Sequence, residues 1–81
     1  MPDTKTAEEI AQDYTAMGHS VDLINAIIAG TQMADDTAEE KQDCVDRNVA
    51  HLELMVAKDY WTSEDMTAVN SAITAGQGYT A

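Results

Sequence analysis

The chain has no phenylalanine, one proline, one cysteine and four glycines in 81 residues. With Cys44 alone, no internal disulfide can staple the fold. The single thiol fits a reducing compartment, or a small core residue. No stretch approaches the roughly 20 consecutive apolar residues that a membrane span needs. The opening Met-Pro-Asp-Thr-Lys lacks the apolar run of a signal peptide. The expectation is a complete, unprocessed, soluble protein, cytoplasmic or, if viral, in the virion and host cytoplasm.

Bases are the other scarcity. Four Lys and Arg stand against fifteen Asp and Glu, for a formal charge of −11. A field of that sign repels phosphate backbones and disfavours direct nucleic-acid binding. Three readings of the acidity stay open: solubility in a saline setting, a basic protein partner, and mimicry of DNA phosphates.

Helical periodicity is what the chain has in abundance. Ala7, Ile10, Ala11, Tyr14 and Met17 form one apolar stripe. Thr6 and Glu9 have the spacing of a capping box, and Gly18 is the expected stop. Ser20 then caps a second, deeply buried helix carrying Val21, Leu23, Ile24, Ile27 and Ile28, which ends at Gly30. A third helix opens at Thr37-Ala38-Glu39-Glu40, a second capping box, and runs to about Tyr60. It bears two apolar stripes, Val45, Val49, Leu52 and Val56 on one side, and Ala50, Leu54, Ala57 and Trp61 on the other. The second stripe predicts Leu54 covered by the last helix and Trp61 free for a partner. Ser63 caps a fourth helix with Met66, Val69 and Ile73 inward, which stops at Gly76.

Residues 11–30 align without gaps on 57–76, matching Ala11, Asp13, Tyr14, Ala26, Ile27, Ala29 and Gly30 to Ala57, Asp59, Tyr60, Ala72, Ile73, Ala75 and Gly76. The fold expected is therefore all-α, a small four-helix bundle of two helix hairpins with an internal duplication and a long third helix. Residues 1–81 form one domain, with hairpins at about 6–30 and 37–76 and a tail at 77–81.

The acidic run Asp35, Asp36, Glu39, Glu40 and Asp43 lacks the alternating oxygens and central glycine of a calcium loop. It reads better as a solvated helix start and as a candidate contact for a basic partner. Cys44 and His51 are seven apart, two turns along one helix, too far for joint chelation. Arg47, His51 and Lys58 make a small cationic stripe, expected to pair with acids of a neighbouring helix. No nucleophile–base pairing, phosphate loop or carboxylate pair stands out, and no metal, cofactor or catalytic residue is expected. Trp61, at the end of the third helix, and Tyr79, in the tail, are candidate aromatic contacts. The function expected is non-catalytic protein–protein interaction, as an accessory or virion assembly protein of a bacterial virus. The rival is an acidic inhibitor or DNA mimic that binds a basic site on a host protein. A homo-oligomer is a further option.

Overall fold

A computed structural model describes residues 5–81; the amino-terminal Met-Pro-Asp-Thr lies outside the described residues. The architecture is all-helical, with α1 at Ala7–Ala29, α2 at Ala38–Val56 and α3 at Thr67–Gln77. Among the described residues, three helices stand where four were expected. They run up, down and up: Ser20 meets His51 and Tyr60 meets Asp13, so α1 and α2 are antiparallel. Tyr14 bonds the chain at Asp65, while Gly76 approaches Ile24, so α3 runs along α1.

The expected break at Gly18–Ser20 does not occur. Ile10, Tyr14, Met17, Val21, Ile24 and Ile28 alternate spacings of four and three, so one apolar phase crosses the glycine without a shift. A glycine inside a helix costs only about 1 kcal/mol relative to alanine. Burying Met17 and Ile24, both fully enclosed, returns about 1.5–3 kcal/mol each. Ser20 is buried on the core side and bonds His51, so it caps nothing. Helix α1 starts where the sequence placed it, with the Glu9 amide donating to Thr6 Oγ1 and the Thr6 amide donating to Glu9 Oε1, both 3.1 Å. It stops at Gly30, whose φ of 81° is left-handed. The Thr31 amide donates to Ala26 and the Gly30 amide to Ile27, a Schellman closure.

Helix α2 also begins at its predicted box, Thr37 with Glu40. It ends at Val56, four residues before Tyr60, because the next aromatics leave the helix to pack on α1. The Trp61 indole N–H donates to the Met55 carbonyl at 2.7 Å, a second bond to an acceptor in the last turn that also takes the Lys58 amide. Helix α3 starts at Thr67, not at Ser63. Its N-cap, Met66, brings no side-chain cap, so Ser63 does not fill the expected role; the Asp65 carboxylate, just ahead of the helix, accepts the Thr67 amide at 2.9 Å. Gly76 is not a stop either, since α3 continues through it to Gln77.

The core is Met17, Val21, Ile24 and Ile27 of α1, Val45, Val49 and Leu52 of α2, and Val69 and Ala72 of α3. Helix α3 approaches α2 on the side of Val45 and Val49, so the second stripe of α2 is left outside. Leu54 is 62% exposed, and Ala50 and Ala57 are exposed with it. The expectation that Leu54 lies under the last helix is overturned. Ile28 is exposed too, because the α1 stripe outruns the cover offered by its neighbours.

The duplication has no structural counterpart. Residues 11–29 lie inside one continuous helix, while their partners 57–75 form a connection and most of α3. The matched glycines do different work, Gly30 in a left-handed turn and Gly76 in a close approach to Val49. Met33, in the connection between α1 and α2, has a φ of 57°, left-handed and uncommon for an unbranched side chain without a polar group. Its side chain packs against the core, which holds the backbone there.

Candidate functional site

The candidate contact residues fall at two opposite ends of the bundle. Asp35, Asp36, Glu39, Glu40 and Asp43 occupy the connection and first turns of α2, at the end where α1 finishes. Trp61 sits at the other end, against the amino-terminal half of α1. The residues named as candidate contacts are therefore divided between the two ends of the bundle.

At the acidic end, all five residues are exposed. Glu40 is committed to its cap: it accepts the Thr37 amide at 3.1 Å, and these bonds hold its carboxyl below the usual range. Asp43 pairs with Arg47 one turn on, and that bond raises the guanidinium pKa further. Both partners are mostly exposed, so the pair contributes little to stability. Asp35, Asp36 and Glu39 point into solvent around the positive end of α2, which favours acids there.

Tyr79 is docked on this same end. Gln42 of α2 donates to the Tyr79 carbonyl at 3.2 Å and accepts the Ala81 amide at 2.9 Å. The Tyr79 side chain packs, half-buried, against the core. It tethers the end of the chain to α2.

Trp61 is half-buried at the centre of an aromatic cluster. Its ring lies 4.8 Å from Tyr60 and 6.3 Å from Tyr14, both tilted. Such geometry contributes about 0.5–1.5 kcal/mol per pair beyond area. The phenols are anchored as well. Tyr14 donates to the Asp65 carbonyl at 2.6 Å and Tyr60 donates to Asp13 at 3.1 Å. Lys5 completes the knot with a 2.7 Å bond to Asp13 and a position over the Tyr60 ring. The bond from Lys5 holds the Asp13 carboxyl below its usual value, with the Tyr60 hydroxyl adding to the effect. Trp61 thus works first as the latch between the α2–α3 connection and α1.

Sequence reasoning missed the pair formed by Ser20 and His51, whose Oγ and Nδ1 stand 2.9 Å apart between α1 and α2. The expected pairing of His51 with acids of a neighbouring helix is replaced by this hydroxyl contact. The predicted cationic stripe does not act together, since Arg47 turns to Asp43 on its own helix. Ser20 is buried in mid-helix, where neighbouring amides are committed to the helix and offer no oxyanion site. The pair satisfies two polar groups between α1 and α2. Among the described residues, no three His, Cys, Asp or Glu side chains gather as a metal site. No described helix is long and apolar enough to cross a membrane. No protein-family model matches the chain, and no curated protein or solved structure matches it.

Proposed function

We propose that this protein is a non-catalytic binding module that works through contact with a basic surface on a protein partner. One observation carries the reading: among the described residues the only buried polar side chain is Ser20, so every described acid is outside the core. Four cations can neutralise at most four of fifteen acids one to one, which leaves at least eleven without a lysine or arginine of their own. A surface field of this kind steers basic partners and raises their association rate. Accessory or assembly duty in a bacterial virus is one setting for such a module. Inhibition of a basic site on a host protein, including as a DNA mimic, is the other. The scarcity of exposed large apolar side chains, Ile28 and Leu54 at opposite ends of the α1–α2 hairpin, favours the second over an apolar assembly face.

The test is titration of the protein with a lysine-only peptide at rising salt. Binding that weakens steeply with ionic strength is expected. Absence of binding at low salt would overturn the proposal.

A further inference from the structure

Gly18 stands mid-way along a 23-residue helix, at a position where alanine would be favoured by about 1 kcal/mol. A Cβ built there meets nothing within 4 Å. The glycine therefore serves no close approach and no backbone conformation. What it does is leave an open notch between α1 and α3. Tyr14, Val21, Ala68 and Val69 line that notch with Gly18, and Asp22 stands exposed at its rim. Its volume is about 180 Å³. An apolar protein cavity of roughly 150 Å³ accepts a benzene ring, so one aliphatic or aromatic side chain fits.

The notch is built rather than incidental to loose side chains. Its Tyr14 wall is fixed at the hydroxyl by the Asp65 carbonyl and at the ring by Trp61. Val21 and Val69 belong to the core. Helix α3 carries no charged side chain, so the wall it contributes neither repels nor selects by charge. The charge comes from α1, where Asp22 stands beside an apolar floor in a molecule of net charge −11. Apolar floor and acidic rim together specify a chemistry: an apolar side chain followed or preceded by a lysine or arginine.

We infer that the Gly18 notch is the anchor point for the basic protein partner, receiving one apolar side chain of a partner segment while Asp22 meets its neighbouring cation. The inference rests on the proposed binding of a basic protein surface and gives that binding a place. Trp61, chosen from the sequence as the contact, serves the notch from behind by bracing Tyr14.

The experiment uses the full chain, isotopically labelled, and two synthetic peptides of equal positive charge, one of lysine with leucine at helical spacing and one of lysine without leucine. Burial of one leucine is worth about tenfold in affinity, so the leucine-containing peptide should bind about tenfold more tightly. It should also move the amide resonances of Gly18, Asp22 and Ala68 most. Gly18→Leu fills the notch with the helix intact and should erase the tenfold difference while circular dichroism stays unchanged. Ala68→Leu, on the opposite wall, provides the same closure should Gly18→Leu disturb the bundle. Equal affinity for the two peptides, or a leucine preference that survives both substitutions, overturns the notch and leaves the acidic module standing. Failure of both peptides to bind overturns the module and the notch together.

Discussion

Gly18 and Gly76 look alike in the sequence and do opposite things in the structure. Each follows an apolar helical stretch, and each was expected to end it. Both lie inside helices. At Gly76 an added Cβ would come 2.3 Å from Val49 Cγ2 and 3.5 Å from Ile24 and Val45, so glycine is what lets α3 lie against both other helices. At Gly18 the same carbon would meet open space. One glycine is required by packing; the other is tolerated by the fold and opens its surface. Glycine alone therefore does not stop a helix. The stops come from what surrounds it, such as the left-handed turn and paired amides at Gly30.

The contrast can be broken by substitution. Gly76→Ala should lose about 1–3 kcal/mol of unfolding free energy in urea, the cost of forcing a methyl group into a filled core. Val49→Ala in that background should recover part of the loss, because the two sites share one space. Additive losses in the double variant would mean that Gly76 matters for another reason.

The helix ends should be more sensitive than the empty glycine. Thr37→Ala removes the capping oxygen of α2 and should cost about 1 kcal/mol by chemical denaturation. The caps also set an acid limit. Glu9, Glu40 and Asp65 have depressed pKa values from accepted backbone amides, and Asp13 from its bond to Lys5. A depressed carboxylate contributes stability above its unfolded pKa, near 4, and loses it as pH falls through the folded value. Thermal melts of wild type should therefore fall below about pH 4, and Thr37→Ala should show a slightly shallower fall because Glu40 loses the Thr37 hydroxyl while keeping the residue-37 amide. An identical pH slope in the two proteins would count against the cap.

Gly18→Ala should gain about 0.5–1 kcal/mol, measured in the same urea series, because it adds helix propensity and meets no neighbour. Leu54→Asp tests the smallest expected effect. With its side chain outside the core, the change should stay within about 0.5 kcal/mol of wild type with unchanged helicity. Loss of folding in Leu54→Asp would restore the buried second stripe that the structure removes.

The parts of the fold legible in the sequence are those decided within one turn of helix. Thr6 with Glu9 and Thr37 with Glu40 are three residues apart, so their geometry follows from spacing alone. The core valines of α2 and the Gly30 stop follow in the same way. What was not legible depends on partners far along the chain. Ser20 reads as a cap until His51, 31 residues away, claims its hydroxyl. Trp61 reads as an exposed anchor until Tyr14 and Met55 are placed around it. Leu54 reads as covered until the path of α3 is known. The acidic contact residues were legible as surface groups, because nothing else can hold that much charge. Their distance from Trp61 was not, since it is fixed by the antiparallel course of α1 and α2.

The continuity of α1 through Gly18 carries the rest: it sets the three-helix count, removes the duplication and creates the notch. Amide hydrogen exchange measured residue by residue across Met17–Val21 tests it most directly. Protection at Gly18, His19 and Ser20 comparable to that at Ile24 is the result expected for one unbroken helix with a continuous core face. Rapid exchange confined to Gly18, His19 and Ser20, with slow exchange on both sides, would put the break back and contradict the account.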